Sequence, residues 1–331
     1  MDNIKALTFR NDELKLTDLK KPEPNDNEVL IEVRLAGICN TDLEIMSGML
    51  GFTGIPGHEF VGEVVDDPQN KFSGKRVVGE VNIPCYDCRR CSRQQFNHCS
   101  NIKALGMRGK DGAFAEYLTL PRENIHPVPE TITDREAVFV EPIAAAVEIA
   151  EQYHLKPSEE IAILGDGKLG LIIASTLKAL GFSVLVIGRH KNKLARLKSL
   201  EIPGYLERNL PKNIQDIPVV VEATGSSSGL EKALQLVRPE GKIIFKTTIA
   251  RKIEVNLSSL AIDEIQLLGS RCGPFPPALD LLEYNNLYLE EIITACYPLE
   301  QGPEAFDKAR DKDSLKVLLQ PRRDSDSLNL I

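Results

Sequence analysis

Ile161-Ala-Ile-Leu-Gly-Asp-Gly-Lys-Leu-Gly170 decides the reading of this chain. Ile161 to Leu164 is a short apolar run that reads as a buried strand. Gly165, Gly167 and Gly170 follow in the spacing G-x-G-x-x-G, with Lys168 and Leu169 between the last two. Leu171 to Leu180 continues as an apolar helix, and Gly181 stops it. Strand, glycine turn and helix in this order are what a dinucleotide site needs. The first glycine permits the tight turn, the second lets backbone approach a pyrophosphate, and the third lets helix pack on strand. The helix N-terminus then offers free N–H groups and partial positive charge to the phosphates. The alternative is a glycine-rich turn in some other α/β protein.

Outward from this unit, residues 161 to 270 alternate strand and helix. Strands are expected at Ile161–Leu164, Val184–Ile187, Val219–Glu222, Ile243–Phe245 and Ile265–Leu268, and helices at Leu171–Leu180, Lys193–Leu200 and Gly229–Val237. That alternation predicts a doubly wound parallel sheet. The second strand ends Gly188-Arg189-His190-Lys191, where a site for NAD usually carries an acid about 20 residues beyond the glycines. Gly188 makes room and Arg189 offers a guanidinium fork to a 2′-phosphate, with Lys191 and Lys193 adding positive potential. NADP(H) is therefore favoured over NAD(H), the alternative being a basic helix start with no cofactor role. Glu222-Ala-Thr224-Gly225 ends a strand at the carboxyl edge, and Lys246 and Thr247 follow the next one, positions that flank a bound dinucleotide.

The first 80 residues read instead as a small barrel or sandwich of strands. Ile4 to Phe9 alternates, Glu28 to Leu35 is a strong strand, and the turn-rich Lys21 to Asn27 lies between them. Cys85, Cys88, Cys91 and Cys99 then form C-x2-C-x2-C-x7-C. Four thiolates in so short a span close around one tetrahedral Zn²⁺ with no open position, which makes the site structural. An iron–sulfur cluster and unligated thiols are the competing readings. A helical pattern runs from Asp134 to about His154, with Pro142 as a kink or a new start. Helix is expected again around Ala278–Tyr284, short apolar pieces at Ile292–Ala295 and Val317–Leu319, and a polar, frayed tail from Pro321 to Ile331.

Length and composition bound the rest. The 331 residues imply two domains, and 42% hydrophobic content supplies their cores. A net charge of −8 argues against a nucleic-acid footprint and reads as a solvated surface. No apolar run approaches the ~20 residues of a membrane span, and Met1 to Leu7 lacks a signal peptide's core, so a cytoplasmic protein is expected. Seven cysteines, four of them clustered, fit metal binding in a reducing compartment rather than a disulfide framework.

Gly37-Ile-Cys39-Asn-Thr41-Asp42, Gly57-His58-Glu59-Phe-Val-Gly62, the four-cysteine lobe and the later Rossmann unit occur in one order. That order resembles the zinc-containing medium-chain alcohol dehydrogenase superfamily over roughly residues 4 to 320, and Val140-Glu141-Pro-Ile-Ala144 resembles its polyol (sorbitol) and threonine dehydrogenase branch. The resemblance implies a GroES-like β-rich catalytic domain over residues 1–142, a Rossmann domain over 143–270, and a return to the catalytic domain over 271–331. It implies two zinc ions per chain. Cys39 and His58 would ligate the catalytic one together with Glu59 or Glu141, leaving open which carboxylate binds directly. Thr41 would pass on the alcohol proton, Asp42 would orient His58, and Glu44 stands where many relatives end the proton relay in a histidine. A zinc ion with an open position would activate an alcohol for hydride transfer to nicotinamide.

The implied activity is oxidation of a small alcohol or polyol, or reduction of a carbonyl compound, by a homodimer or homotetramer. The alternatives are a zinc-independent quinone or enone reductase and a catalytically silent cofactor-binding protein on the same fold. Phe52, Phe114 and Phe275 are expected at the substrate pocket, bordered by the loop Met46 to Phe52.

Overall fold

The computed structural model describes residues 3–48, 51–248 and 252–322. Two compact units divide the chain. The first comprises Met1–Glu141 with Ile293–Ile331, and the second Pro142–Ile292.

The first unit is built on a seven-stranded sheet whose central member is Glu28–Ile38. Val29, Ile31 and Val33 alternate inward and are fully buried, as a half-solvated antiparallel strand requires. Its C-terminal half pairs antiparallel with Glu59–Asp66 on one side and Lys316–Gln320 on the other, so Gly37 lies opposite both Glu59 and Leu318. This register carries the chain's last described strand beside residues 37–59. Asn3–Arg10 and Glu13–Lys20 form an antiparallel hairpin. The second hairpin strand and the helix Gly302–Arg310 were absent from the expectations drawn from sequence. Asn82–Ile83, Lys103–Leu105 and Gly109–Lys110 make a small separate sheet around the cysteine lobe.

The second unit is a six-stranded parallel sheet. Its spatial order is Gly204–Leu206, Ser183–Gly188, Glu160–Leu164, Ile217–Glu222, Val237–Phe245, Gln266–Gly269. Ile161, Ile163, Val186, Ile187 and Val219 to Val221 are fully buried, because helices cover both faces of such a sheet. This is the doubly wound order in which ligands meet the carboxyl ends of the strands.

Some boundaries differ from expectation. The helical stretch after Asp134 is two helices, Asp134–Ala137 and Val140–Gln152, and Pro142 sits in the first turn of the second, where its missing N–H costs nothing. Lys193–Leu200 is a short helix Lys191–Leu194 followed by a 3-10 turn. Residues 271–292, expected to return to the first domain, stay in the second unit. There the helix Phe275–Tyr284 buries Phe275, Ala278, Leu279, Leu281 and Leu282. Most of the expected frayed tail, and Met49 and Leu50 of the expected pocket loop, lie outside the described residues.

Candidate active site and metal centres

Three elements of the first unit converge at one end of its sheet. Cys39 leaves the central strand as N-cap of the helix Asn40–Met46, and His58 immediately precedes the strand that begins with Glu59. One ligand atom from each of Cys39, His58 and Glu59 lies within 4.8 Å of the others. His58 and Glu59 are 3% and 1% exposed, and Asp42 is fully buried. Asp42 Oδ2 accepts the Cys39 N–H at 2.8 Å, while its Oδ1 stands 3.3 Å from His58 Nδ1. That approach is too poorly aligned for a hydrogen bond, and both atoms are otherwise unpartnered. Burial works against charge on His58, yet Asp42 and Cys39 hold its pKa well above the ordinary value. A half-buried thiol with a buried imidazole and carboxylate, crowded by a further acid, forms a donor set that suits Zn²⁺.

Lys316 was missed from sequence. Its ammonium is hydrogen-bonded to Glu59 Oε2, with both side chains 1% exposed. Burial opposes its charge, but Glu59, Cys39 and Glu141 hold its pKa above the ordinary lysine value. The ammonium also sits 5.5 Å from the Phe139 ring centroid. Gly37 is required here, since a Cβ on it would stand 2.6 Å from Glu59 Oε2. Glu141, in the first turn of Val140–Gln152, acts on Lys316 through its charge but is not within the 4.8 Å group. Thr41 Oγ1 is 3.7 Å from Cys39 Sγ, and Glu44 lies half-buried one turn further along the same helix.

The lobe gathers a second cluster of donor atoms. All four sulfurs of Cys85, Cys88, Cys91 and Cys99 fall within 4.8 Å of one another. The Cys88–Cys91, Cys88–Cys99 and Cys85–Cys99 separations are 3.5, 3.9 and 3.4 Å. Tetrahedral zinc with Zn–S of 2.3 Å sets sulfurs ~3.8 Å apart. Backbone N–H groups of Cys85 and Asn101 each point at Cys99 Sγ at 3.3 Å. The Ser100 and Cys91 N–H groups draw the Cys88 thiol down to about 5, whereas burial and its neighbouring thiols push Cys91 up to about 12. Four thiolates crowd unfavourably until a cation joins them.

In the second unit the three glycines have separate duties. Gly165 adopts φ +128°, and a Cβ there would stand 2.5 Å from Ala223 O. A Cβ on Gly170 would meet Gly165 O at 2.1 Å, which is the close packing of helix Lys168–Ala179 on the strand. A Cβ on Gly167, the N-cap, would meet nothing within 4 Å, so the space beside its backbone is open. This cradle fits a pyrophosphate. Arg189 Nε donates to Glu207 Oε2 at 2.6 Å and Nη2 to Ser228 Oγ at 3.4 Å, while Lys191 is exposed. Thr224 donates its N–H at 2.9 Å and its hydroxyl to buried Glu222, and Gly225 N–H donates to Thr247 Oγ1 at 3.0 Å.

Other expectations change. Lys246 Nζ, expected beside the nicotinamide, donates to Ala145 O at 2.9 Å, Arg271 O at 2.8 Å and Ser270 Oγ at 3.3 Å, so its three donors are engaged within the fold. The three phenylalanines expected at the pocket are core residues. Phe52 packs with Phe9 and Ile45, Phe114 stacks edge-on to Phe306 at 5.7 Å, and Phe275 is 3% exposed.

Comparison with known proteins agrees with this geometry. The family descriptions "Alcohol dehydrogenase GroES-like domain" and "Zinc-binding dehydrogenase" match residues 25–130 and 169–284. D-arabitol-phosphate dehydrogenase of Enterococcus avium is 31% identical over 93% of this chain and 94% of its own. Among solved structures, an alcohol dehydrogenase of Escherichia coli CFT073 complexed with NADH superposes with a TM-score of 0.88 at 26% identity, covering 96% of this chain and 99% of that one. A zinc-binding dehydrogenase of Sinorhizobium meliloti 1021 bound to NADP gives 0.88 at 25% identity, covering 97% and 100%. The chain belongs to the zinc-containing medium-chain alcohol dehydrogenase superfamily, in its polyol branch. It is a zinc-dependent oxidoreductase of alcohols or polyols that uses a nicotinamide dinucleotide and a small-molecule substrate. Among the described residues no helix is long and apolar enough to cross a membrane.

Proposed function

We propose that this enzyme is an NADP(H)-preferring dehydrogenase of a small polyol, carrying two zinc ions per chain. The observation that carries the reading is the convergence of Cys39, His58 and Glu59 within 4.8 Å, apart from the four-cysteine lobe. In this reading Cys39, His58 and Glu59 hold the catalytic zinc, with Glu141 as the second carboxylate able to exchange with Glu59. A zinc ion held there would supply Lewis acidity toward a substrate oxygen, and a bound nicotinamide would supply the hydride chemistry. Asp42, whose Oδ1 stands 3.3 Å from Nδ1, would orient the His58 ring through its charge. Thr41 Oγ1 takes the alcohol proton and hands it along the helix toward Glu44, a carboxylate that reaches solvent. Lys316 holds Glu59 in place through its hydrogen bond to Oε2.

For the cofactor, Gly188 and Arg189 support the 2′-phosphate over the 2′-hydroxyl. The similarity to D-arabitol-phosphate dehydrogenase supports a polyol substrate. A homo-oligomer is supported by the edge strand Gln266–Gly269, where Leu267 is 40% exposed, and by Ile262, 77% exposed on the helix Ser258–Ile262. Seven free thiols suit a reducing, cytoplasmic setting. The test is a panel of four- to six-carbon polyols and their phosphates, with NADP⁺ and NAD⁺. Turnover of one polyol class that vanishes in Cys39→Ser supports the proposal. Cys39-independent reduction of an enone or quinone would move it to the zinc-free reaction.

A further inference from the structure

Asp166 fills the space that a side chain at residue 188 would need. A Cβ built on Gly188 would stand 2.4 Å from Asp166 Cβ and 2.5 Å from its Cγ and Oδ2. Asp166 leaves the glycine turn and reaches across to the end of the neighbouring strand Ser183–Gly188. There Oδ2 accepts the N–H groups of Arg189 at 2.8 Å and His190 at 2.6 Å, and His190 Nδ1 lies 3.0 Å from Oδ1. The Asp166 side chain is 8% exposed. One buried carboxylate thus fixes the backbone of the turn from which Arg189 faces Glu207 and Ser228. The glycine spacing itself asks for no acid at position 166.

In doubly wound dinucleotide folds this strand end faces the adenosine ribose, with an acid there for the 2′-hydroxyl and basic groups for a 2′-phosphate. In this chain the strand-end position and the middle of the glycine turn share one volume. We infer that Asp166 is a positioning residue for the ribose end of the cofactor. It occupies the side-chain space of residue 188, so that no acid can stand there, and ties down the Arg189–His190 backbone so that the guanidinium faces the 2′-phosphate. The direction of this effect rests on the NADP(H) reading above, whereas the steric coupling of positions 166 and 188 does not.

Cofactor preference is then a property of two residues. Gly188→Asp alone must evict Asp166. Asp166→Gly with Gly188→Asp returns one carboxylate to the shared volume from the other strand. Asp166→Ala would not serve, because it keeps the Cβ 2.4 Å from the new one.

The test uses the full zinc-supplemented chain, with melting temperature and fluorescence-titrated Kd for NADPH and NADH as readouts. Gly188→Ala is expected to lower Tm by several degrees, and Asp166→Gly in the same chain to recover at least half of that loss. Asp166→Gly alone is expected to raise the NADPH Kd about tenfold more than the NADH Kd, the scale of one charge-assisted contact. The Asp166→Gly/Gly188→Asp pair is expected to favour NADH. Equal Tm losses from Gly188→Ala in both backgrounds overturn the coupling, and an unchanged Kd ratio in Asp166→Gly overturns the positioning role. A wild-type chain that binds NADH more tightly refutes the NADP(H) reading and the direction assigned here, while the Tm comparison still decides the coupling.

Discussion

Lys316→Met removes a buried ammonium while keeping an apolar stem of similar length. Its partner Glu59 is 1% exposed, so the variant takes the ammonium away from a carboxylate that stays buried. Breaking a buried ion pair by deleting one partner costs about 3–5 kcal/mol. Some 0.5–2 kcal/mol more is lost with the contact to the Phe139 ring. Each kcal/mol moves the melting temperature by about 2–4 °C in a unit of about 150–250 residues. The first unit should therefore melt roughly 7–28 °C lower. Bound zinc offsets part of this by partnering Glu59, which places zinc-supplemented protein near the lower end. Differential scanning calorimetry at a fixed scan rate reads the shift. Glu59→Gln combined with Lys316→Met removes both charges and should recover at least half of the loss, because the penalty is an unpaired charge rather than a lost contact. A Tm drop below about 2 °C for Lys316→Met, or strictly additive losses in the double variant, refutes the reasoning.

Other expectations follow from the same contacts. Burial works against the charge on Asp67, but the N–H groups of Phe72, Gln69 and Lys71 and the Arg122 guanidinium outweigh it and hold the carboxyl at about 2. A depressed folded pKa gives stability that is complete above the unfolded value near ~3.9 and disappears as pH falls through about 2, worth about 2–3 kcal/mol at neutral pH. Asp67→Asn should flatten the Tm–pH curve between about pH 4 and 2, and an unchanged acid limb would count against the assignment. Arg189→Ala should weaken NADPH by about tenfold or more and NADH by no more than about twofold, read by fluorescence titration; equal losses mean the phosphate sits elsewhere. Glu207→Gln releases the Arg189 fork and should tighten NADPH, with weaker binding as the contrary result.

Much of this architecture is legible in sequence because local signals carry it. Gly165, Gly167 and Gly170 sit in one turn, and each glycine's role follows from its spacing. The four lobe cysteines lie within one short stretch and meet there. Cys39, His58 and Glu59 come together in space, but their union was legible only through family resemblance, since it depends on the register of Gly37 opposite Glu59. Lys316 carries no such signal. It is 257 residues from Glu59 in sequence, and only the pairing of Lys316–Gln320 with the central strand joins them. Asp166 carries no local signal either, since neither sequence nor spacing shows that it occupies the volume Gly188 leaves. The pocket aromatics failed for the opposite reason: aromatic rings at scattered positions are most often core, and Phe114 packs against Gly57 so closely that a Cβ there would stand 2.6 Å from its ring. Glu13–Lys20 was passed over because its alternating charges hide a strand whose outer face is exposed.

Metal content per chain tests the central claim most directly. Protein purified in zinc-supplemented buffer, desalted and analysed by plasma mass spectrometry should hold two zinc ions. Cys39→Ser and Cys91→Ser should each hold one, with the ion that remains in Cys91→Ser the more readily removed by mild chelation, because the catalytic site has fewer thiolates. A single zinc in the wild-type chain that survives Cys39→Ser would leave the lobe as the sole metal centre and contradict the assignment of Cys39, His58 and Glu59.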